Sequence, residues 1–295
     1  MDQPKSSAHD LSERLAGTGY LADPGLATAT FLAGRMHKPL FCEGEPGTGK
    51  TALAKALAQA LDLELIRLQC HEGIDVSQAL YAWDFSRQLL HLRALEAASS
   101  GGGFDADTAE KSLYDERFLL DRPLLRALRS APCVLLIDEI DRADDEFEAF
   151  LLQILDEFAV TIPELGEVKA STAPLVVLTS NRTREVHDAL KRRCLYHWLE
   201  HPDIAREIAI LRSRIPELSE SLAGQVSQAV ATLRGMALLK PPGVAESIDW
   251  ARALLALDRD VLDAHTAAVT LGAVLKFRED TDRVVAAGLD SLLAG

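Results

Sequence analysis

The sequence is short of three things: paired cysteines, basic residues and long apolar stretches. Four cysteines are spread over 295 residues with no C-x-x-C pair, so neither a disulfide framework nor a cysteine zinc site is expected. The 31 basic residues are outnumbered by 45 acidic ones, which gives a net charge of −14. Because nucleic-acid binders usually carry a basic excess, a motor acting on DNA or RNA is disfavoured, although the overall charge does not exclude a local basic patch.

Membrane, export and zinc signals are missing as well. No apolar run reaches the roughly 18 residues that a membrane-spanning helix needs, and the polar residues 1–7 lack the apolar core of a secretory signal. His197 and His201 are four residues apart, but Trp198 and Pro202 argue against a helix there and no third ligand is evident. We therefore expect a cytoplasmic protein with no integral membrane segment and no structural zinc.

A glycine-rich motif is the most informative feature that is present. Residues 44–51 read GEPGTGKT, which fits the G-x-x-x-x-G-K-T pattern of phosphate-binding loops. An apolar run before the motif predicts a strand, and helix-forming residues after it predict a helix whose N-terminus favours phosphate. The predicted nucleotide-binding residues are Gly44, Glu45, Pro46, Gly47, Thr48, Gly49, Lys50, Thr51 and Ala52.

Two side chains of this motif have specific predicted roles. The Lys50 ammonium can reach the β- and γ-phosphates, and the Thr51 hydroxyl is placed to ligate Mg²⁺. The glycines let the loop curl tightly enough for successive N–H groups to point at the phosphates. The motif therefore predicts binding of a nucleotide with Mg²⁺.

A second motif supplies carboxylates. The run CVLLIDEID at residues 133–141 predicts a buried parallel strand that ends in charge, and open α/β sheets bind ligands at that end. Asp138 would hold Mg²⁺, and Glu139 would polarise the water that attacks the γ-phosphate. Taken alone, the motif also fits a strand ending in a solvated acidic turn; together with the phosphate loop it favours hydrolysis.

Three further polar residues complete the predicted catalytic set. Asn181 ends another apolar run, so its amide is predicted to reach the attacking water or the γ-phosphate; the alternative is a turn cap. Arg192 and Arg193 follow a helix-like segment predicted at residues 184–190. Either one suits an arginine finger delivered to a neighbour's nucleotide, and the alternative is a solvated basic helix end.

Apolar periodicity predicts an α/β fold with a parallel sheet flanked by helices, followed by a small all-helical lid. The predicted parts are an N-terminal helical segment (1–36), a nucleotide-binding αβα domain (37–201) and a helical lid domain (202–295). Residues 113–130 are predicted to form one helix, residues 144–158 an acidic helix and residues 160–171 a hairpin. Residues 81–92 fit either a hairpin or a short helix, and residues 99–103 are predicted to be a mobile loop.

Several motifs, in order and spacing, resemble the MoxR branch of the AAA+ ATPases. They are GEPGTGKT at 44–51, LIDEIDRA at 136–143, LTSN at 178–181 and LKRR at 190–193. Within that branch, HEGID at 71–75, YAWD at 81–84 and TREVHDALKRRC at 183–194 look closest to CoxD-like proteins. The resemblance covers roughly residues 30–260.

This resemblance implies a ring-forming, usually hexameric, chaperone-like ATPase. It places Asn181 at the sensor-1 position and Arg192 or Arg193 at the arginine finger. It further implies a partner with a von Willebrand factor A domain and, for CoxD-like members, a metalloenzyme client. That client would be a carbon monoxide dehydrogenase or related molybdenum hydroxylase during copper and sulfur insertion. The segments 81–92 and 160–171 match insertions that line the ring pore or contact substrate.

The lid departs from the family pattern at one position. The family's sensor-2 arginine lies in a Ser-x-Arg pattern, whereas residues 247–252 here read SIDWAR, with Asp249 in the arginine's place. Arg252 follows three residues later on nearly the same helical face and is the predicted substitute.

The sequence thus predicts an AAA+ chaperone that uses ATP and Mg²⁺ to remodel a metalloenzyme during cofactor assembly. The first alternative keeps the chemistry and changes the client to rubisco, nitric oxide reductase or a gas vesicle. The second is a nucleotide-gated scaffold that performs no mechanical work.

Overall fold

The computed structural model describes residues 7–98 and 106–293. The strands within these ranges are β1 (Leu40–Gly44), β2 (Glu64–Gln69), β3 (Tyr81–Trp83), β4 (Leu119–Asp121), β5 (Cys133–Asp138), β6 (Ala159–Ile162), β7 (Gly166–Lys169), β8 (Leu175–Ser180) and β9 (Leu195–Leu199). The predicted mobile loop at residues 99–103 lies outside the described residues.

The α-helices of the first two thirds of the chain are α1 (Ala8–Gly17), α2 (Pro24–Met36), α3 (Lys50–Leu61), α4 (Val76–Ala79), α5 (Phe85–Ala98), α6 (Ala106–Leu113), α7 (Pro123–Ser130), α8 (Asp145–Glu157) and α9 (Asp188–Arg193). Those that follow β9 are α10 (Ile204–Arg214), α11 (Glu220–Gly235), α12 (Val244–Ala256), α13 (Ala264–Val274), α14 (Arg278–Ala287) and α15 (Asp290–Leu293). Short 3₁₀ helices span Glu116–Phe118 and Ile140–Arg142.

The main sheet has five strands in the order β2-β5-β8-β1-β9. β5 pairs in parallel with β2 on one side and with β8 on the other, and the register sets Gln69 of β2 opposite Asp138 of β5. Every residue of β5 is buried, as expected for a strand covered on both faces. The predicted α/β fold is confirmed, with helices alone after β9 in the part of the chain described.

Two antiparallel pairs of short strands lie outside the main sheet, in segments whose secondary structure was predicted from the sequence. β3 pairs with β4 and is followed by α5, so residues 81–92 contain both a strand and a helix. The single helix predicted over residues 113–130 is wrong. Pro123 has no N–H to continue a helix and instead begins α7, and the residues before it pair with β3. The hairpin predicted at residues 160–171 is confirmed as β6 and β7.

The chain forms two compact units with separate apolar cores. The first takes its described residues from Met1–Phe31, Cys42–Leu61 and His197–Gly295, and its largest buried side chain is Trp250 on α12. The second takes them from Leu32–Phe41 and Asp62–Tyr196, with a core built on β2, β5, β8, α7 and α8. The domain boundaries predicted at residues 36 and 201 stay a prediction. Across the described ranges, none of the helices combines the length and the apolarity that spanning a bilayer demands.

Candidate nucleotide site

The predicted phosphate loop connects the end of β1 to the start of α3 in the first unit. Gly47 and Gly49 have φ values of 82° and 97°, a backbone region that glycine enters without steric cost. A Cβ on Gly44 would lie 2.4 Å from the carbonyl oxygen of Leu199, so only glycine fits there. The loop therefore has the tight curl that the motif predicted, and it leads directly into a helix N-terminus.

Lys50 is held by the loop itself. Its side chain is buried, with 6% of the residue exposed. The ammonium donates hydrogen bonds of 2.7 Å to the carbonyl oxygens of Gly44 and Glu45. Thr51 and Ala52 follow in the first turn of α3 and are partly exposed. The lysine is thus ordered by its own loop, as a phosphate ligand should be.

The loop also rests on the segment that begins α12. The N–H of Val244 donates to the Gly47 carbonyl at 2.9 Å, and a Cβ on Gly243 would lie only 2.5 Å from the Gly47 Cα. His201 lies 3.0 Å from a carboxylate oxygen of Glu45. Burial, and then the Arg234 guanidinium, hold the pKa of His201 below its usual value against the opposing effect of Glu45.

Near the start of α12, this contact is backed by an ionic network of Arg234, Glu207 and Ser247 that the sequence did not reveal. Arg234 donates to both carboxylate oxygens of Glu207, at 2.6 and 2.9 Å, and Ser247 donates to the same carboxylate at 2.6 Å. Arg252, the predicted sensor-2 substitute, is exposed on α12. Among the described contacts, none ties Arg252 to the loop, so its predicted role stays untested.

Asp138 ends β5 in the second unit and is 2% exposed. One oxygen accepts the Thr179 hydroxyl of β8 at 2.5 Å, and the other accepts Arg67 of β2 at 2.6 Å. The same Arg67 guanidinium also contacts the side-chain oxygen of Gln69. Strands on both sides of β5 therefore hold this carboxylate, and neither Thr179 nor Arg67 was predicted.

Glu139 turns away from the strand that carries it. Its φ of 56° is left-handed, and its N–H donates to the Thr179 hydroxyl at 2.9 Å. Its side chain accepts Gln69 at 3.1 Å and pairs with Arg142 at 3.0 Å, both through Oε2. The two adjacent carboxylates therefore point differently, as expected, because Glu139 leaves the extended conformation.

Asn181 follows β8, and its backbone N–H is hydrogen-bonded to Asp141, which lies just after the end of β5. The buried Asp141 carboxylate accepts the N–H groups of Asn181 and Thr183 at 3.2 and 2.8 Å, and the Thr183 hydroxyl at 2.7 Å. Arg182, between them, has a left-handed φ of 57°. The structure thus brings Asp138, Glu139 and Asn181 to the ends of two neighbouring strands.

The two predicted finger residues close α9, which begins at Asp188 rather than at the predicted residue 184. Arg192 and Arg193 are both exposed. Arg193 pairs with Asp156 of α8, where both side chains are about half exposed. Exposed arginines at a helix end fit delivery to a neighbour and equally fit a solvated basic terminus.

The donor set suits Mg²⁺ better than a fully protein-bound metal. In the described ranges, no group of three or more His, Cys, Asp or Glu side chains is arranged to hold a metal ion. Mg²⁺ keeps several waters and needs only one or two protein oxygens. The buried Asp138 carboxylate and the Thr51 hydroxyl are the oxygens that the sequence assigns to it.

The sequence matches the family described as AAA domain (dynein-related subfamily) over residues 39–194. Since this match spans more than half of the chain, the protein belongs to that family of AAA+ ATPases. The family match confirms the coarser part of the resemblance inferred from the motifs.

Individual relatives add little about function. An uncharacterized protein of Staphylococcus aureus (strain bovine RF122 / ET3-1) is 25% identical over 223 residues, covering 68% of this chain and 76% of its own. An uncharacterized protein of Staphylococcus epidermidis is 24% identical over 224 residues, with the same coverage. The Thermotoga maritima RuvB Holliday junction branch migration motor is 16% identical, covers 99% of this chain and 84% of its own, and has a TM-score of 0.49. A likeness this loose carries no argument about activity.

Proposed function

We propose that this protein is a Mg²⁺-dependent ATPase. In this proposal the phosphate loop and the carboxylates at the end of β5, Asp138 and Glu139, serve one nucleotide. The observation that carries the proposal is the fixed pair Asp138 and Glu139, both bonded to Thr179. A buried carboxylate beside one that turns outward supplies a metal ligand and a base from adjacent residues. Nucleotide triphosphatases with a phosphate loop combine the same two sets of groups.

Each side chain has a separate task in this proposal. Lys50 binds the phosphates, Thr51 and Asp138 hold Mg²⁺, and Glu139 accepts a proton from the attacking water. Both described contacts of the Glu139 carboxylate use Oε2, which leaves Oε1 for that proton. Asn181 would orient the water, and Arg192 or Arg193 of a neighbouring copy would neutralise charge on the transferred phosphoryl group. Bound Mg²⁺ neutralises charge on the phosphate oxygens.

The biological role that we propose is remodelling of a client protein by a ring of such subunits, with six as the expected number. The MoxR-type and CoxD-like motifs support a client that is a molybdenum hydroxylase of the carbon monoxide dehydrogenase type, served during copper and sulfur insertion. They also support a partner with a von Willebrand factor A domain. These finer assignments depend on the sequence resemblance alone, and cytoplasmic location likewise stays a prediction.

Client capture tests this role. Glu139→Gln protein loaded with ATP is used to pull down bound proteins from the native host, and Lys50→Ala protein, whose ATP binding should be weakened, serves as the control. Recovery of a molybdenum hydroxylase subunit with a von Willebrand A protein would support the proposal. Recovery of rubisco or another enzyme instead would replace the client, and capture of nothing in the presence of ATP would contradict remodelling and favour the scaffold alternative.

A further inference from the structure

Residues 182–187 form a linker from Asn181 to α9, the helix that ends in the two predicted finger residues. At the end of this linker, the N–H of His187, which caps α9, donates to Oε2 of Glu148 on α8 at 2.7 Å. The Glu148 carboxylate is fully buried, with 0% of the residue exposed. Both residues belong to the second unit. One buried charge on α8 therefore holds the point where α9 begins.

The other oxygen of Glu148 holds the linker itself. Its Oε1 accepts a hydrogen bond from the guanidinium of Arg184. Arg184 also pairs with Asp145 at 2.9 Å and donates to the carbonyl oxygen of Ala143 at 2.5 Å. Ala143 lies between β5 and α8. The Glu148 carboxylate thus joins α8 to the linker and, through Arg184, to the segment that follows β5.

Apolar packing alone does not explain this arrangement. Val186 of the linker and Leu190 of α9 are 3% and 1% exposed and lie in the same apolar core as the buried face of α8. Their burial holds α9 against the core, but apolar contacts are non-directional, whereas hydrogen bonds have preferred angles. Relative to apolar residues of similar volume, a buried ion pair adds little net stability. The contacts of Glu148 are therefore best explained by the direction that they give to the first turn of α9.

The direction of α9 matters because the helix is short. It spans six residues, Asp188–Arg193, so Arg192 and Arg193 lie less than two turns from the anchored N–H. A second contact from α8 reaches the far end of α9, where Asp156 pairs with Arg193. Both of those side chains are about half exposed, and an exposed pair constrains a helix only weakly. The buried contact at the start of α9 is thus the stronger of the two.

We propose that Glu148 is a positioning residue that sets how Arg192 and Arg193 are presented to the nucleotide of a neighbouring copy. It acts through Arg184 and His187 and contacts neither the nucleotide nor the attacking water. This inference rests on the proposed arginine finger, and it adds that α8 of the same chain aims that finger.

Replacement of Glu148 by glutamine tests the proposal. Glutamine has one acceptor oxygen and no charge, so it cannot hold Arg184 and His187 as the carboxylate does. We expect kcat for ATP to fall at least about tenfold, since an arginine finger contributes roughly 10³–10⁵ in characterised nucleotidases. The dissociation constant for ATP should not change, because the phosphate loop is untouched. Glu146→Gln removes an exposed charge from the same helix and should keep the turnover of the original protein.

Mixing of subunits shows whether the loss lies in the finger. Glu139→Gln copies should not turn over their own ATP, but their α9 is unaltered. In excess over Glu148→Gln copies they supply a correctly held finger, and they should restore most of the turnover per Glu148→Gln subunit. A residue that served only its own fold or its own nucleotide would not be rescued in this way. Absence of recovery would therefore overturn the proposal.

A variant without the finger separates this inference from the proposed function. Arg192→Ala combined with Arg193→Ala should lose turnover and recover it on mixing with Glu139→Gln copies. If this double variant kept full turnover or failed to recover, the finger assignment would be wrong and the role of Glu148 would fall with it. If it recovered while Glu148→Gln did not, the role of Glu148 alone would be contradicted.

A second substitution keeps the test decisive if Glu148→Gln fails to fold, which urea unfolding will show. Glu148→Asp keeps the charge that Arg184 needs, but its side chain is one methylene shorter and cannot reach both Arg184 and His187. It should also lower kcat without changing ATP affinity, and mixing with Glu139→Gln copies should restore its turnover. Normal kcat in a folded Glu148→Asp protein would contradict the proposal.

Discussion

The charged group of the phosphate loop and the carboxylates at the end of β5 are held in place in opposite ways. Lys50 is held by backbone carbonyls of its own loop, six and five residues away in sequence. Asp138 and Glu139 are held by side chains of β2 and β8, 71, 41 and 70 residues away. The first arrangement is local and depends on glycine conformation, whereas the second exists only after strands distant in sequence have paired.

This contrast suggests that one region sets affinity for nucleotide and the other sets turnover. Substitutions in the two regions should therefore separate the two quantities.

Glu139→Gln should give the largest effect on turnover. Losing the base should lower kcat for ATP by about 10²–10⁴-fold, while the dissociation constant for ATP changes little because the loop is untouched. Steady-state ATPase assays and nucleotide titrations measure the two quantities, with the exposed Glu157→Gln as control. Normal turnover in Glu139→Gln would end the assignment of Glu139 as base.

Lys50→Ala should give the opposite pattern. Loss of a buried cation from a phosphate contact should weaken ATP binding by about 2–5 kcal/mol, which is at least about 30-fold. Lys55→Ala, an exposed lysine on the same helix, should bind ATP like the original protein. If Lys50→Ala kept its affinity and lost only kcat, the proposed separation of roles would be wrong.

Arg67→Gln removes the cationic partner of Asp138 and leaves the Asp138 and Glu139 side chains themselves unchanged. Asp138 would lose its cationic partner while buried, so the metal-free protein should lose about 1–3 kcal/mol of unfolding free energy. Mg²⁺ with nucleotide should restore part of that loss. The control is Arg126→Gln, which removes an exposed ion pair between Arg126 of α7 and Glu64, a residue of β2 like Arg67. This variant should lose less than about 1 kcal/mol of unfolding free energy. Urea unfolding compares them, and equal losses would contradict a special role for Arg67.

Gly243→Ala should perturb the phosphate loop from the segment that begins α12. Its Cβ would overlap the Gly47 backbone, so one segment must shift, at about 1–3 kcal/mol for an overpacked site. We expect weaker ATP binding with kcat at saturating ATP largely kept. Gly272→Ala is the control, because a Cβ there meets nothing within 4 Å. Unchanged ATP affinity in Gly243→Ala would show that the loop tolerates displacement.

His201→Gln should give the smallest effect, visible only as pH dependence. The pKa of His201 in the folded state is lowered by burial and by Arg234, so the unfolded chain binds more protons below about pH 6.5. Stability should therefore fall as pH drops from about 6.5 through the folded-state pKa, and His201→Gln should reduce that fall. Urea titrations at several pH values measure it, with the exposed His9→Gln as control. Identical pH profiles in the two variants would remove His201 from this role.

Much of the fold could be predicted because its strands are uninterrupted apolar runs that end in polar residues. β5 and β8 were located in this way: β5 ends at Asp138, and β8 ends one residue before Asn181. Leucine spacing failed over residues 113–130, since periodicity does not show that Leu119 will pair with Trp83. The contact of Arg234 with Glu207 beside α12 could not be predicted either, because these residues lie on separate helices that meet only in the folded chain. The predicted role of Arg252 stays untested.

The sequence by itself determined the family, the phosphate loop, and which carboxylates and amide end the central strands. Those features are encoded in contiguous residues whose local conformation follows from glycine, proline and apolar periodicity. Only the tertiary structure decided that Arg67 and Thr179 hold Asp138, that Gln69 holds Glu139, and that the buried Asp141 carboxylate accepts the N–H groups of Asn181 and Thr183. These partners depend on which strands are neighbours and how the loops pack, and the pattern of contiguous residues does not reveal either.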